Sequence, residues 1–361
     1  MKAELGPDWE ARYAHFEHEA AAAASLGQVH RATAHDGRAL AAKLQYPDMA
    51  SAVEADLGQL DVLFGLYRQF DKSINTGLIR GELADRLREE LDYEREAKHL
   101  ALYREMLAGQ ANVHLPEVLP ELSTKRLLTM TWLPGQPLLS FKEASQDDRN
   151  LIAETLFRAW YWPLHHYGVI HGDPHLGNYQ VRDGNVEGQE WGLNLLDFGC
   201  IRVFPPRFIR GVVDLHHALL TGDQALAVDA FERWGFTGLS REIIDTLLIW
   251  ATFLYGPLLD DRVRPIDDDG RPADYGRETA QKVHRRLKEL GTVTVPSEFV
   301  FMDRAAIGLG GVFMHLRAEL NWHRLFGEMI DGFSEDALAA RQAAALARAG
   351  LADTVAPTGI A

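Results

Sequence analysis

The chain has 361 residues, with 37 basic and 52 acidic side chains, a net charge of −15 and a pI near 5.4. Its 47% hydrophobic and 25% charged composition is that of a soluble globular protein, with length for about two domains or one bilobal unit. The acidic balance excludes nucleic acid as a principal partner, and the single cysteine, Cys200, excludes an intrachain disulfide or a cysteine-based metal cluster.

The first seven residues have no apolar core and do not read as a signal peptide. A mixed-charge lead with Trp9, Tyr13 and Phe16 runs into the alanines 20–24, and Asp36-Gly37 marks a hairpin between two strand-like runs. The second run, Ala39-Leu40-Ala41-Ala42-Lys43-Leu44, carries a lysine in an otherwise apolar strand. Apolar residues then recur at helical spacing over 49–69 (Val53, Leu57, Leu60), and a densely charged second helix is expected over 80–109. Proline-punctuated β-prone segments fill 113–133, notably Arg126-Leu127-Leu128-Thr129-Met130, and 133–137 reads as a linker. An aromatic-rich helix is expected over 147–167, kinked or broken at Pro163. Beyond residue 200 the chain reads as helical to about 348, with an exposed loop at 260–274 and a frayed tail over 351–361. The most apolar stretch, 246–259, reads as too short to span a bilayer and as a buried helix ending before Pro257. His165-His166 and His216-His217 read as helix-surface or core-edge residues, and no internal repeat is visible.

The chemistry is concentrated in His171-Gly172-Asp173-Pro174-His175-Leu176-Gly177-Asn178 and in Leu195-Leu196-Asp197-Phe198-Gly199. These read as H-x-D-x-x-x-x-N followed by D-F-G, the acidic signatures of phosphoryl transfer. That reaction needs positioned phosphates, metal ions and an oriented acceptor rather than covalent help from the protein. Asp173 is expected to orient or deprotonate the acceptor, and Asn178 and Asp197 to hold Mg²⁺ through hard oxygen ligands. Either half alone would read as a polar turn, since Gly, Asp, Pro and Asn all favour turns; the two in order do not.

Lys43 suits a strand lysine that reaches the α- and β-phosphates of a nucleotide and is held by a helix glutamate. Arg88-Glu89-Glu90-Leu91-Asp92-Tyr93-Glu94-Arg95-Glu96-Ala97 offers several carboxylates at three- and four-residue spacing, and periodicity leaves open which one pairs with Lys43. Ala22-Ala23-Ala24-Ser25-Leu26-Gly27-Gln28-Val29 falls where a phosphate-covering glycine-rich loop belongs, with alanine making it stiffer. His171 and His175 are four apart, but Gly172 and Pro174 argue against a helical zinc site.

At these residues the chain resembles the UbiB/AarF atypical kinase family, the coenzyme Q kinase-like proteins, from Glu19 to about Phe333. The marks are the alanine-rich run with Gly27-Gln28-Val29-His30, the E-L-D-Y-x-x-E-A helix at 90–97, and H-G-D-P-H with Asn178. H-G-D followed by D-F-G also resembles aminoglycoside and choline phosphotransferases; the alanine-rich run and the charged helix favour UbiB. The resemblance implies an α+β, bilobal protein-kinase-like fold. Its small β-rich N-lobe with added helices would span 1–134, its larger helical C-lobe 135–350, and a disordered tail 351–361.

It also implies Lys43 paired with Glu96, and Glu90 and Asp92 as an E-x-D element near the nucleotide. Ala22, Ala23, Ala24, Ser25, Gln28 and Met130 would lie around ATP or ADP with Mg²⁺. ATPase-like turnover in support of isoprenoid-quinone (ubiquinone) or lipid metabolism is expected, with a lipid or quinone-precursor ligand. The location would be cytoplasmic, peripheral at the inner face of the membrane. Two readings compete: a small-molecule phosphotransferase, and a nucleotide-gated lipid- or protein-binding module with little turnover. Two departures stand out. No K-x-G-Q motif occurs, so either the reading frame is truncated or the family's helical lid is missing; and Met130-Thr131-Trp132 lacks the glutamate that commonly follows the hinge methionine.

Overall fold

The structure is a computed structural model that describes residues 1–24, 26–70, 84, 87–184, 190–267, 277–290 and 296–354. The chain divides into two compact units. One comprises residues 1–102, 115–134 and 197–200; the other comprises 103–114, 135–196 and 201–361.

The first unit begins with a short helix, α1 (Lys2–Leu5), and is built on a four-stranded sheet. Its strands are β1 (His15–Ala24), β2 (Gly27–Thr33), β3 (Ala39–Gln45) and β5 (Leu127–Thr131), in the order β1-β2-β3-β5 with antiparallel pairing throughout. The expected Asp36-Gly37 hairpin joins β2 to β3: Thr33 pairs with Ala39, and Gly37 adopts φ 89°, a left-handed conformation that favours glycine. Tyr13, Ala32, Leu40, Ala42, Leu119, Leu122 and Leu127 form the core of this sheet. Helix α2 (Met49–Phe70) turns Val53 and Leu57 inward against Ala84.

The second helix departs from expectation. Residues 87–90 are helical, the chain breaks at Leu91-Asp92, and a new helix, α3 (Tyr93–Met106), begins. The Asp92 carboxylate accepts the amide N–H of Arg95 at 3.0 Å, so it caps α3 instead of continuing a helix. Residues 80–83 and 85–86 of the expected helix lie outside the described residues.

In the second unit, α4 (Gln146–Tyr167) is capped by Ser145 and runs through Pro163 without the break that was one of the two expectations there, to end at Gly168 with φ 65°. Proline there costs one donor in a helix already near its end. Two small sheets follow, β10-β7 and β4-β9-β8-β6. Their strands are β4 (Val113–His114), β6 (Gln136–Pro137), β7 (Val169–His171), β8 (Tyr179–Arg182), β9 (Gly192–Leu195) and β10 (Ile201–Val203). Helices α5 (Pro206–Thr221), α6 (Gln224–Arg233), α7 (Arg241–Tyr255), α8 (Arg277–Leu290), α9 (Ser297–Leu316), α10 (Trp322–Ile330) and α11 (Glu335–Arg348) complete it. Trp160, Phe208, Phe231, Trp322 and Phe326 are fully buried among them.

Three further expectations are corrected here. The apolar segment around 246–259 is not too short: α7 continues into a 3₁₀ turn (Gly256–Leu259) that accepts Pro257 in its first turn. The resulting 19 residues, Arg241–Leu259, and a second set, Glu298–Leu316, are long and apolar enough to cross a membrane by length and composition, and a third of each is buried. His165 and His216 are core residues, 2% and 3% exposed, not surface or edge. Leu351 is buried rather than frayed. Residues 355–361 of the tail and 268–274 of the expected loop lie outside the described residues.

Candidate active site

Strand β3 places Lys43 inside the first unit, 7% exposed. Its ammonium donates to both carboxylate oxygens of Glu96, at 2.7 and 2.9 Å, and to Oδ2 of Asp197 at 2.9 Å. All three of its hydrogens are thereby matched. Burial works against the charge, but the carboxylates of Glu96 and Asp197 outweigh it and raise the pKa of Lys43 above its ordinary value. Glu96 is itself raised, first by burial and also by the negative Asp197, against the pull of Lys43. Two carboxylates thus share one ammonium, and the cluster favours a further cation. Asp197 is the open member: its side chain is 37% exposed, against 4% for Glu96, and its Oδ1 accepts the N–H of Gly199 at 2.9 Å, which sets the Asp-Phe-Gly turn.

Three residues that pattern reading passed over support this cluster. Tyr93, in the first turn of α3 and one turn before Glu96, lies with its ring centroid 5.1 Å from the Lys43 ammonium, a cation–π distance. Gln45, two residues beyond Lys43 and so on the same strand face, donates its amide to the carbonyl of Leu91 at 2.7 Å. It ties β3 to the break between Glu90 and Asp92. His99 Nδ1 lies 2.9 Å from the Phe198 carbonyl. The signals were present: an aromatic inside the charged motif, and a polar residue at i+2 from Lys43.

In the second unit, β7 delivers His171 to the loop 171–178. Asn178 donates its side-chain amide to Oδ2 of Asp173 at 2.9 Å, and Oδ1 of Asp173 accepts the N–H of His175 at 3.3 Å. The Asp173 N–H reaches Nδ1 of His171 at 3.3 Å, and His171 is 1% exposed against the rings of Tyr103 and Trp160. The carboxylate of Asp173 is therefore held by its own loop, while the donor side of the Asn178 amide is committed to it.

The remaining predicted residues are placed as follows. Ala22 and Ala23 form the exposed end of β1, with Ala24 half-buried, and Ala23 pairs with Gln28 across the β1–β2 hairpin; they are strand residues, not an open loop. Ser25 lies outside the described residues. Gly27 closes this hairpin so near β3 that a Cβ there would meet the Leu44 carbonyl oxygen at 2.2 Å. Met130 is buried on β5 opposite Ala41. Glu90 is exposed and Asp92 half-buried, with the latter engaged as the α3 cap.

The chain is 27% identical to the mitochondrial atypical kinase coq-8 of Caenorhabditis elegans, over 94% of this chain and 44% of that protein. It is 32% identical to the mitochondrial atypical kinase COQ8B of Rattus norvegicus, over 71% of this chain and 48% of that one. It thus spans less than half the length of these relatives. Among solved structures, the complex of Rv3197 with erythromycin from Mycobacterium tuberculosis matches with a TM-score of 0.70 at 24% identity, covering 92% of this chain and 81% of that one; this likeness concerns the fold. Residues 1–230 match the model of the ABC1 atypical kinase-like domain. That match, with a β-rich first unit, a helical second unit and the strand lysine bound to a helix glutamate, places the chain in the ABC1 (UbiB/AarF) atypical kinase family, with an α+β kinase-like fold.

Proposed function

We propose that this chain is an ATP- and Mg²⁺-dependent atypical kinase or ATPase serving isoprenoid-quinone or other lipid metabolism. The observation that carries the reading is the buried Lys43 ammonium shared between Glu96 and Asp197. A lysine held in this way is rigid and charged, as a phosphate-positioning group must be. Lys43 would bind the α- and β-phosphates, with Glu96 fixing its direction. Asp173 would take the proton of the attacking hydroxyl or water, its carboxylate aimed by Asn178.

Mg²⁺, when bound, supplies neutralisation of phosphate charge, and Asn178 and Asp197 offer the hard oxygens that suit it. The excess negative charge of the Lys43 cluster supports that fit. Ala22–Ala24 and Gln28 on the hairpin, Glu90 and Asp92 at the helix break, Met130 on β5, and Ser25 are assigned to the nucleotide. A lipid or quinone-precursor partner, and with it peripheral association at the inner face of a membrane, belongs to the same reading and rests on the family. The test is titration of a fluorescent ADP analogue with and without Mg²⁺. Binding should require Mg²⁺ and weaken by roughly tenfold or more in Asp197→Asn. Equal affinity in the two proteins would remove Asp197 from the metal site and the reading with it.

A further inference from the structure

Helix α9 lies wholly beyond the residues matched by the family model, yet it packs against the loop that bears Asp173. A Cβ built on Gly308, in the middle of α9, would lie 2.2 Å from Cγ and 2.9 Å from Cβ of Pro174. Carbon atoms pack at about 3.5–4.0 Å, so only a glycine allows Pro174 to sit where it does. A second contact runs from α9 to the strand pair that leads into this loop. Phe301, two turns earlier on α9, carries the guanidinium of Arg202 5.5 Å from its ring centroid. Arg202 lies on β10 opposite Ile170 of β7, the strand that runs directly into His171, Gly172 and Asp173. The helix is fixed in turn on either side of Gly308: Asp303 accepts the indole N–H of Trp250 at 2.7 Å, and the Phe313 ring centroid lies 4.8 Å from that of Trp322.

We propose that Gly308 is a positioning residue for the catalytic loop: its missing side chain lets α9 brace Pro174, and so sets where the adjacent Asp173 carboxylate stands. This rests on the reading of Asp173 as the catalytic base. Helix propensity alone would favour alanine at this position, so the glycine is explained by the close approach. Displacing a catalytic group by about 1 Å costs on the order of a hundredfold in rate, and an alanine at 308 demands a shift of that size.

The experiment compares Gly308→Ala with Gly327→Ala, a helical glycine of α10 with nothing within 4 Å of its Cβ position. Hydrogen exchange of the peptide covering 169–180 is read first. It should quicken in Gly308→Ala and stay as in the wild type in Gly327→Ala; unchanged exchange in Gly308→Ala overturns the proposal, whatever the activity. ATP turnover is read second. In Gly308→Ala kcat should fall by roughly ten- to a hundredfold, and any loss of Mg·ADP affinity, through Asn178 on the same loop, should be smaller than the loss in kcat. A loss confined to nucleotide affinity also overturns the proposal. Wild-type protein without turnover would refute the ATPase reading, while loop exchange still decides the role of Gly308. If Gly308→Ala does not fold, Phe301→Leu removes the second contact and should quicken exchange in the same peptide; no change there counts against the brace.

Discussion

Asp303 offers a stability test that needs no ligand. Its carboxyl accepts the indole N–H of Trp250 on α7, and burial pushes its pKa from the ordinary 3.8 up to about 7, against the pull of that hydrogen bond. The folded protein therefore binds a proton that the unfolded chain releases above about pH 4. The stability this group contributes is complete below that pH and is lost as the pH rises to about 7. At about 1.36 kcal/mol per pH unit the ceiling is roughly 4 kcal/mol; residual solvent contact reduces the expectation to about half of that. Asp303→Asn cannot ionise and keeps an acceptor for Trp250. Urea denaturation at pH 5 and pH 8 should show the variant gaining ~1 kcal/mol or more over the wild type across that interval. Parallel pH profiles for the two proteins would show that the carboxyl titrates normally, and the burial argument would fail.

Other outcomes follow from the same geometry. Lys43→Met leaves Glu96 buried without its cation and should cost about 3–5 kcal/mol in a thermal or urea melt, as well as abolishing nucleotide turnover. Asp173→Asn should lower kcat by about 10²–10⁴-fold while Mg·ADP affinity holds, since the base acts only in the chemical step; unchanged kcat would remove Asp173 from catalysis. Burial lowers the pKa of His165 to about 3 and that of His216 to about 4. Their neutral forms support the fold above pH 6.5, and that support is lost as the pH falls; His165 alone should account for ~3 kcal/mol by pH 4, and His165→Phe should blunt the acid transition. Gly168→Ala forces an alanine to φ 65° and against the Gln342 amide, 2.5 Å from the added Cβ; a loss of about 2–4 kcal/mol is expected on melting.

Much of the architecture could be read from local pattern. The Asp36-Gly37 hairpin, the apolar strand around Lys43 and the amphipathic α2 all follow from turn chemistry and period. The helix break at Leu91-Asp92 did not, because charged residues recur at helical spacing on both sides of it. The signal lay in Asp92 itself, an N-cap residue followed by Glu94 and Glu96 in the first turn of α3. The apolar segment at α7 was underestimated at its start, because Glu242 and Asp245 interrupt the apolar run although the helix already begins at Arg241, and it ends at Tyr255, before Pro257, as expected. His165 and His216 read as helix-surface or core-edge residues; which member of a histidine pair points inward is decided by neighbouring helices. For the site, Lys43, Asp173, Asn178 and Asp197 announce themselves by spacing. The choice of Glu96 over its neighbouring carboxylates needs the fold, and the Gly308–Pro174 approach, between residues far apart in sequence, is invisible without it.

The amide of Gln342, on α11, donates to the carbonyls of Tyr167 and Phe204 at 2.8 and 2.9 Å, just before the start of β7, the strand that leads to Asp173, and just after the end of its partner β10. Tyr167 and Gln342 are 175 residues apart. At synthesis rates of about 5–20 residues per second, roughly 10–35 s separate the emergence of that strand from the side chain that ties it down. The loop that bears Asp173 is therefore among the first parts of its unit to be made and among the last to be fastened. A nascent chain stalled before α11 should expose β7 to proteases and chaperones, while the Lys43 sheet, whose residues lie within the first 134, is already complete apart from Asp197.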